Sequence, residues 1–218
     1  MSLALFDLDN TLIAGDSDYE WGKWLVIHNR VDAGYYQRMN ERFYQQYQAG
    51  ELDIHAYLDF ALAPLASIDP TELLALRDDF MARVIEPLLL PRAEQLLHRH
   101  RQQGDCLVIV SATNRFIVEP ICHKLGVREI IATEPEMRTG RYTGKVSGLP
   151  SYREGKVKRV KAWVEQCEQT LDDSYFYSDS HNDLALLQAV DHPVAVDPDP
   201  QLKAEAQVRG WPIISLRD

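Results

Sequence analysis

The chain has 218 residues, 45% of them hydrophobic, with 23 basic and 33 acidic side chains and a formal net charge of -10. This length and composition suffice for one sizeable α/β domain with a smaller insert, and they argue against disorder. The negative charge disfavours nucleic acid and anionic membrane surfaces as partners. A phosphorylated substrate would therefore need local positive charge, from a metal ion or from suitably placed lysines.

Three cysteines without a C-x-x-C spacing indicate neither a disulfide framework nor a zinc site. No apolar run approaches the roughly 20 residues that a membrane-spanning helix needs. The first apolar stretch, residues 3–13, contains two aspartates and lacks the basic flank of a signal peptide. We therefore expect a soluble cytoplasmic protein without a membrane partner. The sequence gives no indication of the oligomeric state.

Five short apolar runs have the composition of buried parallel strands, and helical patterns separate several of them. The predicted strands are residues 3–6, 106–110, 129–132, 175–177 and 193–196. The predicted helices that alternate with them cover about 91–104, 114–125 and 155–167. This alternation predicts a Rossmann-like α/β fold, a parallel sheet with helices on both faces. Sites in such folds lie beyond the carboxyl ends of the strands.

Residues 16–86 interrupt the alternation, because they show helical periodicity without a convincing strand. Within them, the sequence around Asp69 has the pattern of a capped helix start. We predict an all-helical cap domain over 16–86, inserted after the first strand of a core domain made of 1–15 and 87–218. Its many aromatic residues are expected to form mainly the core of the cap. Residues 138–146 have the turn residues of a β-hairpin that projects from the sheet.

Two carboxylates, those of Asp7 and Asp9, directly follow the first predicted strand. Residues two apart in an extended chain project to the same side, so both can face one ligand. Two like charges so close resist joint ionisation unless a cation lies between them or one stays protonated. The arrangement suits Asp7 as a metal-bound nucleophile and Asp9 as a proton donor and acceptor. The alternative is a loop in which Asp9 caps a helix or a turn.

A second acidic cluster follows a later apolar run. Asp179 and Asp183 are four residues apart and share a face if a helix begins near Ser180. Close to Asp7, their oxygens would form a magnesium site, since Mg²⁺ prefers one or two carboxylates together with water and phosphate oxygens. The alternative is that Ser180 or Asp179 is an ordinary helix cap. For His181, an exposed position at the helix start is the favoured interpretation.

Two further segments have residues that can bind an anion. Ser111, Ala112 and Thr113 lie between a predicted strand and a helix, where a hydroxyl and backbone amides can point to a bound anion. Lys156 opens a basic helix and could neutralise the oxygens of a phosphoryl group during transfer. The alternative is a solvated basic face of that helix, and Lys158 is a second candidate for the same role.

Taken in chain order, these elements resemble the four motifs of the haloacid dehalogenase superfamily. The motifs are Phe6-Asp7-Leu8-Asp9-Asn10-Thr11-Leu12, then Ser111, then Lys156, then Asp179-Ser180-His181-Asn182-Asp183. The helical insert resembles the cap of the subgroup that contains phosphoserine phosphatases and some histidinol-phosphate phosphatases. The resemblance implies a magnesium-dependent phosphatase that hydrolyses a small phosphorylated metabolite through an aspartyl-phosphate. A phosphotransferase and a non-catalytic phosphate-binding domain of the same fold are the alternatives.

The resemblance also implies a role for each motif residue. Asp7 would be the nucleophile and Asp9 the general acid and base, with Ser111 and Lys156 holding the phosphoryl group. The implied ligands of Mg²⁺ are Asp7, Asp179 and the backbone carbonyl of Asp9, with Asp183 supporting the metal from close by.

The remaining implied residues would contact the substrate. Asn182 would lie near the phosphate. Ala112 and Thr113 occupy the place of a glycine pair that phosphoserine phosphatases have after the motif-two serine. Asp16 stands where those enzymes have a glutamate that binds the substrate amine, and it is one methylene shorter. Asp18 and Glu20, which are close by, are expected to be solvated or to cap the helix that starts near Tyr19.

Overall fold

A computed structural model describes residues 2–217 of the protein. Seven strands pair in it to form one sheet. The strands are β1 (Leu3–Phe6), β2 (Cys106–Asn114), β3 (Glu129–Arg138), β4 (Arg141–Ser147), β5 (Tyr175–Ser178), β6 (His192–Val196) and β7 (Ile213–Ile214). Their order is β4-β3-β2-β1-β5-β6-β7, and only the β3–β4 pair is antiparallel. The largely parallel sheet confirms the predicted Rossmann-like α/β fold.

The helices fall into two groups along the chain. The first group lies between β1 and β2 and consists of α1 (Ser17–Ile27), α2 (Ala33–Ala49), α3 (Ile54–Ser67) and α4 (Pro70–Phe80), extended by a π-helical turn (Met81–Ile85) and a 3-10 turn (Glu86–Leu88). The others are α5 (Pro91–Gln103), α6 (Arg115–Lys124), α7 (Glu154–Gln166), α8 (Leu184–Leu187) and α9 (Pro200–Arg209). The ends of the predicted core domain, residues 1 and 218, lie outside the described residues.

Strand β1 is buried on both faces, because successive side chains of a strand point in opposite directions. Leu3 and Leu5 belong to an apolar cluster that includes residues of α7, α8 and α9. Ala4 and Phe6 belong to a second cluster that includes residues of α5 and α6. Helices therefore cover both faces of the sheet, as predicted, and the second cluster continues into helices α1, α3 and α4.

The four helices of the first group each begin after an aspartate. The carboxylates of Asp16, Asp32, Asp53 and Asp69 accept hydrogen bonds from backbone N–H groups of the first turn. These N–H groups have no partner within the helix, so the aspartates satisfy them and define where the helices begin. The predicted helix start around Asp69 is thereby confirmed.

Two chain segments join the first group of helices to the sheet, and they pair with each other. Ile13 and Leu89 form an antiparallel bridge, and the Ala14 N–H donates to the Leu88 carbonyl at 2.8 Å. The entry and exit of the helical segment are therefore held together beside the carboxyl end of β1. The neighbours of β1 are β2 on one side and β5 on the other, so this end is a topological switch point, where α/β proteins bind ligands.

Two strands differ from their predicted extents. Strand β2 continues to Asn114, with a register shift after Val110, so Ser111, Ala112 and Thr113 belong to the irregular end of a strand instead of a loop. Strand β3 continues without a break into the hairpin with β4. The sequence prediction did not include β7 or helix α9.

The β3–β4 hairpin was predicted to project from the sheet, and it contacts helix α3. Lys145 Nζ lies 2.8 Å from Asp59. Gly144 has φ of 77°, and a Cβ atom there would lie 3.3 Å from the Ala66 side chain, so this close approach favours glycine. Within residues 2–217, no helix combines the length and the apolar character needed to cross a membrane.

Candidate active site

Asp7 follows β1 directly, and its N–H donates to the Tyr177 carbonyl of β5 at 2.9 Å, which fixes it at the switch point. The residue is only 6% exposed. Lys156 Nζ lies 2.9 Å from Oδ1 of Asp7, and Thr11 Oγ1 lies 3.4 Å from Oδ2. Burial raises the pKa of Asp7 to about 7, although the charge of Lys156 opposes the shift. A nearby cation would favour the ionised carboxylate that a nucleophile needs.

Lys156 lies between two carboxylates. Its Nζ is 2.9 Å from Asp7 and 2.7 Å from Asp183, and only 3% of the residue is exposed. Burial favours the neutral amine, but the charges of Asp183 and Asp7 outweigh it and raise the pKa of Lys156. Lys158 is exposed. Lys156 lies on the buried face of α7 together with Val160, four residues further along. In the sequence, this four-residue spacing from an apolar residue distinguishes Lys156 from Lys158.

Asp179 and Asp7 approach the same hydroxyl group. Thr11 Oγ1 lies 3.1 Å from Asp179 Oδ1 and 3.4 Å from Asp7 Oδ2, and it accepts the Asp179 N–H at 3.0 Å. Burial and the charge of Asp7 raise the pKa of Asp179 well above its usual range. Thr11 belongs to the first motif, and the sequence analysis predicted no role for it. In the structure its hydroxyl group lies between Asp7 of the first motif and Asp179 of the fourth.

Asp9 is held by three hydrogen-bond donors at the edge of a cavity. It accepts from the Ser17 N–H at 2.7 Å, from Thr113 Oγ1 at 2.9 Å and from Ser111 Oγ at 3.4 Å. Burial raises the pKa of Asp9 in spite of these donors. The Thr113 N–H donates to Ser111 Oγ at 3.1 Å, so the second motif is hydrogen bonded internally as well as to Asp9.

A cavity lies between the end of the sheet and the first group of helices, and its empty space of about 600 Å³ includes a part open to solvent. Acidic and aromatic residues dominate its wall. They are Asp7, Asp9, Asp16, Asp18, Tyr19, Phe43, Tyr44, Tyr47, Tyr57 and Tyr152, beside Ser111, Ala112 and Thr113. Among the described residues, no lysine, arginine or histidine lines this cavity.

The aromatic residues were expected to form mainly the core of the helical insert, and this prediction holds for only part of them. Trp21, Trp24 and Phe80 are buried in the apolar cluster shared with the sheet. Phe43, Tyr44, Tyr47 and Tyr57, by contrast, line the cavity. The hydrophobic periodicity of a helix does not distinguish a side chain that faces a core from one that faces a ligand cavity.

Asp16 and Asp18 both line the cavity at the start of α1. Asp16 Oδ1 caps the helix by accepting the N–H groups of Asp18 and Tyr19 at 3.0 and 2.9 Å. Burial and the charge of Asp9 raise the pKa of Asp16 well above its usual range. The interpretation of Asp18 as a solvated or capping residue was wrong, because it is only 7% exposed and accepts a hydrogen bond from Tyr57 at 2.5 Å.

Asn182 connects the fourth motif to helix α2. Its side-chain nitrogen donates to the Tyr47 carbonyl at 3.0 Å, and its oxygen accepts from Tyr152 and Arg153, each at 3.0 Å. Arg153 also donates to the Gly50 carbonyl at the end of α2. Asn182 is buried and is not among the residues that line the acidic cavity. These contacts join the helical segment to the sheet beside Asp179 and Asp183, and the position of Asn182 near a bound phosphate stays a prediction.

Two flanking residues had predicted surface positions. His181 is largely buried and pairs with Asp199 through Nδ1 at 2.7 Å, so its predicted exposed position at the helix start was wrong. Glu20 is partly exposed and pairs with Lys23 at 2.8 Å, which agrees with a solvated acid.

The family of the chain follows from its sequence as a whole. A model of the haloacid dehalogenase-like hydrolase family matches residues 4–188. The chain belongs to this family. The match includes all four motif segments, from Asp7 through Ser111 and Lys156 to Asp183, and it confirms the family inferred from them.

Relatives of this hydrolase include named phosphatases, which confirms the predicted enzyme class. A histidinol-phosphatase of Neisseria meningitidis is 46% identical over 99% of both chains. A probable phosphatase of Mycobacterium tuberculosis is 31% identical over 98% of this chain and 75% of the relative. A phosphoserine phosphatase of the same organism is 28% identical over 98% of this chain and 70% of the relative.

Solved structures of related hydrolases have the same fold. A crystal structure of a protein of unknown function from Bordetella pertussis Tohama I has a TM-score of 0.93 and 45% identity, covering 99% of this chain and 98% of that chain. A substrate-bound phosphoserine phosphatase has a TM-score of 0.74 and 20% identity, covering 100% of this chain and 94% of that chain. At 20% identity the likeness concerns the fold alone.

Phosphatases of this family are generally metal-dependent, and the charge balance of the site fits a cation. Within residues 2–217, no three His, Cys, Asp or Glu side chains are placed to hold a metal ion by themselves. The expected ligand set needs only the carboxylates of Asp7 and Asp179 and a backbone carbonyl. Lys156 is the only buried lysine or arginine among the described residues. Its single positive charge does not balance the negative charges of the carboxylates around it.

Replacing Asp18 with asparagine is expected to raise the melting temperature at pH 8, and to raise it less at pH 5.5. Burial raises the pKa of Asp18 from 3.8 to about 7, so the folded protein binds this proton more tightly than the unfolded chain. Stability therefore falls as the pH rises between these values. Above the folded pKa the full penalty, on the order of 4 kcal/mol, is present. Asparagine has the same shape and no charge.

Differential scanning calorimetry at the two pH values measures this effect. Asp32→Asn is the matched control, because Asp32 is an exposed N-cap and asparagine caps a helix equally well. We expect this control to melt with the wild type at both pH values. A lower melting temperature of Asp18→Asn at pH 8 would contradict a buried charge without a counter-ion.

Proposed function

We propose that this protein is a magnesium-dependent phosphatase that hydrolyses histidinol phosphate through an aspartyl-phosphate on Asp7. The composition of the cavity wall beyond Asp7 is the observation that supports this substrate. Asp16, Asp18 and several aromatic rings line the wall, and none of the described residues that line it is basic. Histidinol phosphate has an ammonium group and an imidazole ring beside its phosphate. Both complement an acidic, aromatic wall.

Phosphoserine is the second candidate, because relatives with that name match most of the chain. Its ammonium group could also pair with Asp16. Its carboxylate, however, would enter a cavity whose described wall contains four aspartates and no cation. A carboxylate buried without a partner is costly, and like charges add repulsion. Histidinol phosphate has no carboxylate, so the charge of the wall favours it over phosphoserine.

In the proposed reaction, the Asp7 carboxylate attacks phosphorus and the bond from phosphorus to the alcohol oxygen breaks. Asp9 donates a proton to the departing oxygen, which leaves as the free alcohol. Asp9 then takes a proton from a water molecule, whose oxygen attacks phosphorus. Inorganic phosphate leaves and Asp7 is regenerated. The raised pKa of Asp9 supports this role, because a general acid must hold a proton at working pH.

The charge of the phosphate is the main obstacle to attack by a carboxylate. Lys156, 2.9 Å from Asp7, supplies one positive charge, and Ser111 lies on the same cavity wall. Asp7, Asp179 and the backbone carbonyl of Asp9 would hold Mg²⁺, which would supply further positive charge and reduce the repulsion between the two anions. Asp183 keeps Lys156 in place from the opposite side, with Nζ at 2.7 Å.

The helical segment 16–86 acts in this proposal as a cap domain over a core of residues 1–15 and 87–218. The paired linkers at Ile13 and Leu89 support this division, because they bring both ends of the segment to one place. The hydrogen bonds from Asn182 and Arg153 to the end of α2 hold the segment over the site. Such a cap excludes water during the first step and contacts the leaving group.

Phosphate release from histidinol phosphate and phosphoserine, each with Mg²⁺ and with a chelator, tests the proposal. We expect release to need the metal, and kcat/KM for histidinol phosphate to exceed that for phosphoserine by about a hundredfold or more. A preference for phosphoserine would contradict the assignment of histidinol phosphate as the substrate. Product analysis in the presence of added alcohols tests the phosphotransferase alternative, which predicts a phosphorylated acceptor instead of inorganic phosphate. A protein that binds phosphate without turnover would support the non-catalytic alternative.

A further inference from the structure

Asp18 is a buried carboxylate that the proposed chemistry does not use. Its Oδ2 accepts a hydrogen bond from Tyr57 of α3 at 2.5 Å, and its Oδ1 accepts one from Asn114 at the end of β2 at 3.3 Å. Both partners are neutral donors. The residue is 7% exposed and lines the cavity together with Tyr57. A carboxylate here is therefore oriented by two elements while its charge stays without a counter-ion among the described residues.

The usual structural explanations for a buried acid do not apply to Asp18. Helix α1 is capped by Asp16, so Asp18 is not needed for that purpose. No lysine, arginine or histidine within the described residues forms a salt bridge with it. Buried charges are normally paired, and an unpaired one facing a cavity has room for a cationic ligand group.

The two acids of α1 differ in what surrounds them. Asp16 immediately precedes Ser17, whose N–H contacts Asp9, the proposed proton donor to the leaving oxygen. Asp18 contacts Tyr57, an aromatic residue of helix α3, in addition to Asn114 at the end of β2. In histidinol phosphate the ammonium group is on the carbon next to the one bearing the phosphate oxygen, and the imidazole is one carbon further away. The wall thus offers one carboxylate for each of the two basic groups, and the hydrogen bond from Tyr57 places Asp18 beside an aromatic ring.

We infer that Asp18, oriented by Tyr57, is the specificity residue that binds the imidazole ring of the substrate, while Asp16 binds the ammonium group. The inference rests on the proposed function, because it assigns the two basic groups of histidinol phosphate to two carboxylates of the same cavity. A ring nitrogen donates to the Asp18 carboxylate, and the aromatic residues of the wall contact the faces of the ring.

Two substrates that differ only in the imidazole ring test this assignment. Histidinol phosphate and 2-aminopropyl phosphate share the phosphate and the ammonium group, and the second has a hydrogen in place of the ring. For Asp18→Asn we expect the ratio of kcat/KM for the first substrate to that for the second to fall by about tenfold or more, mainly through KM. For Asp16→Asn we expect both substrates to lose a similar factor, so that the ratio changes little.

The matched control is Glu20→Gln, which removes a negative charge from the same helix at a partly exposed position outside the cavity wall. Its ratio should equal that of the wild type. Tyr57→Phe removes only the hydroxyl that orients Asp18, and we expect it to lower the ratio in the same direction, although less. It also keeps the assignment testable if Asp18→Asn does not fold. Inhibition by histidinol, the product, should be weaker in Asp18→Asn and in Tyr57→Phe than in the wild type.

The outcomes separate this inference from the proposed function. Equal losses on both substrates in Asp18→Asn would mean that the residue supports the structure, and would overturn the inference alone. An unchanged ratio in both Asp18→Asn and Tyr57→Phe would also overturn it. A wild-type protein that releases phosphate from neither substrate, with Mg²⁺ present, would refute the proposed function before any variant is compared.

Discussion

Asp7→Asn is expected to reduce phosphate release by at least about 10⁴-fold, as removal of the nucleophile does in other enzymes with covalent intermediates. The variant should remain folded, because asparagine has the same shape and still accepts a hydrogen bond from Lys156, which lies 2.9 Å away. The amide nitrogen cannot form the acyl-phosphate bond. Steady-state phosphate release and a circular dichroism spectrum measure the two expectations.

The result also depends on a matched control for the lost charge. Asp172→Asn removes the same charge from an exposed loop residue and should leave turnover unchanged. Acid quenching of the wild type during turnover with ³²P-labelled substrate should trap label on the protein, and Asp7→Asn should trap none. Turnover of Asp7→Asn close to that of Asp172→Asn would refute the carboxylate as nucleophile.

The parts of the fold that were predicted correctly have local sequence signals. The apolar run of β1 ends at Phe6 and polar Asp7 follows at once, which is typical of a buried parallel strand entering a loop. The start of α4 after Asp69 is similarly encoded by residues next to each other. The extension of β2 was not predictable in this way, because three of its four residues are polar and the pairing with β3 resumes only at Asn114, after a register shift.

The cavity shows why the substrate-binding residues were harder to predict than the motif residues. Asp18 is separated from Tyr57 by 39 residues and from Asn114 by 96 residues, so no local pattern distinguishes it from a solvated acid. The contacts of Asn182 with Tyr47 and Arg153 likewise depend on how α2 lies against the sheet, so its motif alone does not predict them. Helix periodicity says which residues share a face but not what that face contacts.

The largest loss of stability is expected for Lys156→Met. Methionine fits the length of the side chain and leaves the carboxylates of Asp7 and Asp183 buried without their shared cation. Removing one partner of a buried ion pair costs about 3–5 kcal/mol, and here two carboxylates lose it. Chemical denaturation at pH 7 measures this loss. Phosphate release should fall by about 10²–10³-fold in addition, because a charge that stabilises the transferred phosphoryl group is absent.

The pH dependence of Lys156→Met separates electrostatics from packing. Without the ammonium group, burial and the neighbouring negative charges raise the pKa of Asp7 further above that of the unfolded chain. An acid with a raised folded pKa loses stability as the pH rises, so the deficit against the wild type should be smaller at pH 5 than at pH 8. A deficit that is equal at both pH values would indicate a packing defect instead.

Lys158→Met is the control that assigns the role to one lysine. Lys158 lies two residues further along α7 and is exposed, so its charge is solvated and its loss should change neither stability nor turnover measurably. The two variants remove the same charge from the same helix and differ only in the face on which it lies. Equal loss of activity in both would mean that the general positive charge of α7, and not the contact between Lys156 and Asp7, supports phosphoryl transfer.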